Sequence, residues 1–266
     1  MIMKNTEFKI PPLGTLTEFK AQVKNDDLQV YFDKLQDSEI SVDNFSFYTS
    51  VAAVFSSKIE GEDIELDSYI KHKRFGITFL PDYTQKIDDL YTAYQFAKES
   101  ELTEKNVLKA HKHLTKHLLP ESRQGRIRTG NMYVTTAAGK IEYVAANPFL
   151  LKEELAKFYT DADTVLKADL AIDEVFYFAS MLHLVFAKIH PFDDGNGRTA
   201  RLIEKWFLAR KLGPQSWFLQ SERNYYIQHQ TYYNNIRRLG MEYDGLDYKM
   251  ALPFLMMLSQ SLIRQE

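Results

Sequence analysis

The 266-residue chain contains no cysteine. That absence excludes a secreted scaffold held by disulfides, a thiolate nucleophile and a cysteine-ligated zinc site. The N-terminal stretch MIMKNTEFKIPPLG lacks the apolar core that a secretory signal needs. Nowhere does the chain run to the ~18 consecutive apolar residues of a membrane-spanning helix. A cytoplasmic protein with no membrane partner is expected. Positive charge is short as well: 33 lysines and arginines face 36 aspartates and glutamates, a formal net charge of −3. A phosphate backbone usually demands a basic face, so nucleic-acid binding is not expected. Internal repeats, low-complexity tracts and an interdomain linker are missing too.

What is present is helical periodicity. Hydrophobic residues make up 45% of the chain, enough for a large core without a metal or disulfide staple. Tyr48, Val51, Ala52, Phe55 and Ile59 form one helical stripe that should stop near Gly61. Ile87, Leu90, Tyr91 and Tyr94 repeat the pattern. Leu102 to Leu118 reads as a helix with Thr103 as its cap and Pro120 beyond its end. Pro148 is placed to open a helix through Tyr159. Val175 to Ile189 carries a wide apolar stripe, predicting a buried central helix. Further helices are expected over 198–212, ended by Gly213-Pro214, and over 222–238 and 247–264. Between Gly125 and Val144 the pattern alternates and is rich in Val, Ile, Thr and Tyr, with a turn at Ala138–Lys140. That stretch predicts a single β-hairpin. The fold class expected is all-α, a helical bundle with one hairpin. Residues 1–41 are expected to form a helical extension ahead of one domain over 42–266.

One short segment stands apart from this core: IHPFDDGNGRTAR, residues 189–201. Gly195 and Gly197 flank Asn196 just ahead of a helix, where backbone N–H groups approach a ligand closely. Unsatisfied donors and the positive dipole end make such a place an anion site. Arg198 and Arg201 lie three apart on the first turn, which suits more than one phosphate group. Asp194 is a hard oxygen ligand of the kind that holds Mg²⁺ beside phosphates. A neutral His190 could take a proton from an incoming hydroxyl. Such a base loses activity as pH falls through the ~6.5 region of an ordinary imidazole.

His190 to Arg201 matches the signature HPFx(D/E)GNGRxxR at every defined position, and on it the chain resembles the Fic family. The flanking FASMLHLVFAKIHPF, GRIRTGNMYV and QTYYNNI resemble that family's buried helix, hairpin opening and tyrosine pair. The resemblance covers roughly residues 80–250. It implies a Fic-type helical bundle whose hairpin, the flap of residues 125–144, clamps a target protein by strand pairing. It implies a protein adenylyltransferase moving AMP from ATP to a target hydroxyl. In that reading His190 is the general base and Asp194 carries Mg²⁺. Gly195, Asn196, Gly197, Arg198, Thr199, Ala200 and Arg201 form the phosphate site. Gln228 and Tyr232 fall at the nucleobase pocket, with Gln228 and His229 where the family often has Asn-Arg. The stretch SSKIEG, Ser56 to Gly61, resembles the inhibitory pattern [ST]xxxE[GN], on a helix covering about 42–60. It implies that Glu60 pairs with Arg201 and blocks the γ-phosphate. Fic domains often self-associate, so the resemblance leaves a homodimer open, and self-modification with it; the sequence does not fix the oligomeric state.

Other readings stay open from the sequence. The same site could remove AMP, transfer phosphate or phosphocholine, or serve a non-enzymatic nucleotide-binding module. His111, His113 and His117 are read as structural rather than metal-binding. The basic runs Lys71–Arg74 and Asn234–Arg238 are read as solvated helix faces.

Overall fold

The computed structural model describes residues 8, 9, 14–135 and 141–263. Among these lie twelve α-helices and one two-stranded antiparallel sheet, so the all-α bundle with one hairpin is what the chain forms. The helices are α1 (Gly14–Gln22), α2 (Asn25–Asp33), α3 (Phe47–Ile59), α4 (Leu66–Phe75), α5 (Pro81–Lys98) and α6 (Glu104–Leu114). They continue as α7 (Leu151–Lys167), α8 (Ile172–Ile189), α9 (Asn196–Leu212), α10 (Ser221–Ile227), α11 (His229–Arg237) and α12 (Leu252–Ile263). No helix among the described residues is long and apolar enough to cross a membrane.

The core is organised around α8. It is buried on every side except at Glu174, because its apolar residues recur all round the helix rather than on one stripe. Helices α7, α9 and α12 pack directly on it, and α1 and α2 cover a further face. Phe19 from α1 and Leu28 and Phe32 from α2 are buried in that same core. A second layer is built by α3 and α5, which pack on each other, with α6 against α5 and α10 against α3.

Local chemistry sets the helix ends. Ser46 caps α3 by accepting from Thr49 N, and the helix closes ahead of Gly61 at φ 90. Thr103 caps α6 in the same way, as its sequence predicts. Five expectations shift. The helix expected over Leu102–Leu118 spans Glu104–Leu114, and the one expected from residue 247 begins at Leu252 after a 3-10 turn over Tyr248–Ala251. The helix after Pro148 starts at Leu151, because Asn147 first closes a turn with Phe149 N and Leu150 N, and it runs on to Lys167. The helix expected from Arg198 begins two residues earlier, at Asn196. The helix expected over 222–238 breaks into α10 and α11 at Gln228.

The sheet pairs β1 (Tyr133–Thr135) with β2 (Ile141–Val144), Val134 opposite Tyr143, with a register shift after Val134. It is shorter than the alternating pattern over 125–144. Arg128 ties the chain ahead of β1 to the core instead of joining the sheet. The expected turn at Ala138–Lys140 lies outside the described residues.

Candidate active site

The loop from His190 to Arg201 is held in an unusual backbone state. His190 closes α8 with φ 52, and among the described residues it is the one non-glycine at positive φ. Such a conformation costs about 1–3 kcal/mol and must be held by its surroundings. Here His190 N donates to Phe186 O, and Arg128 Nε donates to His190 O at 2.8 Å. The same guanidinium donates to Gly130 O at 2.6 Å and Ala146 O at 2.5 Å, clipping the hairpin base to the loop.

The imidazole is oriented as well. His190 Nδ1 lies 3.1 Å from Ala187 O, which can only accept, so Nδ1 carries the proton and the lone pair is on Nε2. Burial pushes the ring down to about 4, and Arg128 adds to it against the opposing pull of Ala187 O and Glu60. The ring is therefore neutral at physiological pH. The acid limb expected near 6.5 from an ordinary imidazole moves to about 4, because the ring is desolvated.

The turn between α8 and α9 is shaped from within. The Asn196 carboxamide accepts from Phe192 N and donates to Phe192 O, both at 2.8 Å. Phe192 stacks on His111 with centroids 3.6 Å apart. His111 Nδ1 accepts from Gly125 N at 2.9 Å, and its Nε2 lies 2.9 Å from Asp194 O. One fully buried histidine thus joins α6, the hairpin base and the loop, a structural role as its sequence suggests. Gly195 at φ 77 has no room for a side chain: a Cβ would stand 2.9 Å from Thr115 Cγ2.

At the start of α9 both arginines meet carboxylates. Arg201 donates from Nε to Ser56 Oγ at 2.8 Å, and from Nη2 to Ser56 O at 3.0 Å and Glu60 Oε1 at 2.6 Å. Ser56 comes from the last turn of α3 and Glu60 is the residue that caps its C-terminal end, four positions on. A Cβ on Gly197 would stand 2.4 Å from Glu60 Oε1, so the carboxylate fills the space that this glycine leaves over the helix N-terminus. Burial opposes ionisation of Glu60, but Arg201 and then Arg198 outweigh it and hold the carboxyl below its usual range. Arg198 Nη2 lies 3.4 Å from Glu62 Oε1, which also takes Lys86 Nζ at 2.8 Å. Arg198 Nε is buried without a hydrogen-bond partner among the described residues. Glu62 was not singled out by sequence. Its only signal there is its place two residues after Glu60.

Beneath Arg201 runs a buried relay. Its Nη1 donates to Tyr232 Oη at 3.3 Å, Tyr232 Oη is 2.9 Å from His183 Nε2, and His183 Nδ1 is 2.7 Å from Glu204. Tyr232 was marked in sequence for a nucleobase pocket, but this chain of contacts was not legible there, because α8, α9 and α11 supply one residue each.

The expected phosphate set divides accordingly. Gly195, Gly197, Arg198 and Arg201 converge on the first turn of α9. The side chains of Asn196, Thr199 and Ala200 do not face that site. Asn196 is spent on Phe192, Thr199 Oγ1 donates to Gly195 O at 2.8 Å, and Ala200 is in the core. They shape the turn, and any phosphate contact from them would come from backbone. Asp194 is exposed, with one oxygen accepting from Gly195 N at 2.6 Å. Its other oxygen accepts no hydrogen bond among the described residues, which fits a hard divalent cation. Tyr232 is 2% exposed, and its hydroxyl serves Arg201 rather than an open base pocket. Gln228 sits at the α10–α11 break, its amide donating to Asn224. His113 rests against Phe96, while His117 turns to Asp89 at 2.9 Å.

Comparison with known proteins bears on these groupings. Residues 101–208 match the Fic/DOC family. A protein adenylyltransferase Fic from Nematostella vectensis is 31% identical over 113 residues, 42% of this chain and 24% of that protein. A uridine 5'-monophosphate transferase from Xanthomonas campestris pv. campestris is 43% identical over 65 residues, 24% of this chain and 12% of that protein. The matches thus span a quarter or less of either relative. A solved Fic family protein from Desulfovibrio desulfuricans has a TM-score of 0.74 at 18% identity, covering 97% of this chain and 74% of that one. A Fic domain-containing signalling protein from Bacteroides thetaiotaomicron reaches 0.64 at 21% identity, covering 95% and 92%. What is shared at these identities is the fold.

Proposed function

We propose that this chain, which has a Fic fold and matches the Fic/DOC family over residues 101–208, transfers AMP from ATP to a hydroxyl of a target protein, restrained by its own Glu60. The observation that carries this reading is the Glu60 carboxylate on Arg201, seated over Gly197 at the N-terminus of α9. A carboxylate held there occupies the place of an anion, so the site is built for negative charge and closed by it.

In the reaction His190 Nε2 accepts the proton of the target hydroxyl as its oxygen bonds to the α-phosphorus and pyrophosphate leaves. Arg198, Arg201 and the first turn of α9 neutralise phosphate charge, the main work of such a site. Asp194 would hold Mg²⁺, which supplies further charge neutralisation when bound. The hairpin offers a strand edge to the target. The relative that transfers uridine 5'-monophosphate makes the nucleobase a point for experiment. Removal of AMP is a second reading, favoured by the same carboxylate: the Glu60 side chain is 28% exposed and stands where it can orient a water.

The test is incubation of wild type and Glu60→Gly with Mg²⁺ and α-labelled ATP or UTP, followed by intact mass. A gain of AMP on the protein, larger in Glu60→Gly, is expected. Labelling from UTP alone would replace ATP as substrate. No labelling from either, with loss of AMP from a modified protein only in wild type, would favour the reverse reaction.

A further inference from the structure

Strand β2 is tied down on every side that the site presents to it. Glu142, 8% exposed, pairs with Arg237 of α11. Val144 N donates to Met241 O at 2.8 Å. Between them Tyr143, 5% exposed, is turned inward to α8, where its hydroxyl donates to Ala187 O at 3.0 Å and lies 3.2 Å from His190 Nδ1. The fully buried Lys188 places its ammonium 4.2 Å from the centroid of the Tyr143 ring and donates to Gly240 O at 3.1 Å. That cation holds the ring by its π face. A tyrosine packed only for its bulk needs no such set of partners.

The hydrogen-bond directions decide what the hydroxyl does. Its proton goes to Ala187 O. Its oxygen lone pairs then face His190 Nδ1–H, which is already donating to the same carbonyl. We propose that Tyr143 is a positioning residue for the base: its hydroxyl oxygen is a second acceptor for His190 Nδ1–H, and fixes the ring with Nε2 toward the incoming hydroxyl. When Nε2 takes a proton the Nδ1–H bond becomes charge-assisted, so this acceptor is worth more in the transition state than before it. The strand carrying it is paired to β1 through Val134, so the element offered to the target also sets the angle of the base. The inference rests on the AMP-transfer reading only in taking His190 as the base. The orientation of His190 stands apart from it.

Tyr143→Phe is the discriminating variant, since it keeps the ring and the Lys188 contact and removes one oxygen. The first measurement is the His190 tautomer at neutral pH by ¹⁵N-detected NMR on the full chain, assigned by difference from His190→Ala. Wild type is expected to hold the Nδ1–H form, and Tyr143→Phe to raise the minor Nε2–H form roughly two- to tenfold, the value of one hydrogen bond. The second is self-modification in the Glu60→Gly background at saturating ATP. Adding Tyr143→Phe should lower the maximal rate by roughly two- to tenfold with the KM for ATP unchanged. An unchanged tautomer ratio overturns the proposal, as does an unchanged rate, whatever happens to thermal stability. If Glu60→Gly transfers no nucleotide at all, the AMP-transfer reading falls, and the tautomer measurement still decides the role of Tyr143.

Discussion

At Gly197 one absent methyl group leaves the space in which the Glu60 carboxylate rests, 2.4 Å from where a Cβ would be. An alanine there would displace the tip of a flexible side chain, a cheap move for the fold, but it would also fill the anion site. Gly197→Ala should therefore loosen Glu60 without raising activity, and should weaken ATP binding by calorimetry. Glu60→Gly removes the same contact and leaves the space open. A charge-assisted contact of about 1.5–3 kcal/mol predicts a gain of roughly ten- to a hundredfold in self-modification. If Gly197→Ala were as active as Glu60→Gly, the carboxylate and the phosphate would not share that space. His111 carries a prediction of a different kind. Burial pushes its imidazole down to about 4 against the Asp194 hydrogen bond, from an ordinary value near 6.5. The unfolded chain therefore takes up the proton first as pH falls. Stability from this group is complete above ~6.5 and is lost progressively down to about 4, by at most about 3 kcal/mol. Urea unfolding at pH 7 and pH 5 should show that fall, and the His111 ring should still be neutral by NMR at pH 5. A His111 ring that titrates near 6.5 would contradict both.

At the scale of elements, the end of α3 and the residues just after it meet both arginines of α9. The last turn of α3 supplies Ser56 and its C-cap supplies Glu60 to Arg201, and the chain just beyond supplies Glu62 to Arg198. The carbonyl of Ile59 lies 3.2 Å from His229 Nε2, so α11 holds the same segment from the other side. The two carboxylates are not equal. Glu60 stands 2.6 Å from its arginine, while Glu62 stands 3.4 Å away and is shared with Lys86. Glu62→Gln should thus raise ATP affinity by no more than about fivefold, as for a weak, partly exposed pair. It should add to Glu60→Gly in the double variant, because each carboxylate faces a different arginine. Calorimetric ATP titration of the two singles and the double tests this. A gain from Glu62→Gln equal to that from Glu60→Gly would mean that the segment moves as one lid.

For the whole molecule, the N-terminal helices matter because α8 is buried all round. Phe32 of α2 is 2% exposed and meets Phe176 edge-on at 6.4 Å. Removing that ring leaves a cavity against the central helix. Phe32→Ala should cost about 3–5 kcal/mol. The melting temperature should drop by several degrees or more, even though the site lies on the far run of the chain. A loss under ~1 kcal/mol would mean that α1 and α2 are a detachable extension rather than part of the core.

The sequence by itself determined the bundle, the hairpin, the α3 stripe ending near Gly61, and the loop from His190 to Arg201. These are local facts: periodicity, caps and a contiguous motif depend on near neighbours along the chain. It also marked Ser56 and Glu60 as candidates through their resemblance to an inhibitory pattern. Only the tertiary structure decided which side chains face the proposed anion site and which are spent on the turn. Asn196 and Thr199 read as ligands in one dimension, yet their polar atoms are taken by Phe192 and Gly195 once the loop closes. Glu62, Tyr143 and the Tyr232–His183–Glu204 relay became visible only when helices and a strand from distant parts of the chain met. The reason is physical: a hydrogen bond between residues far apart in sequence leaves no periodic trace, because its partners are chosen by the packing of elements and not by their spacing.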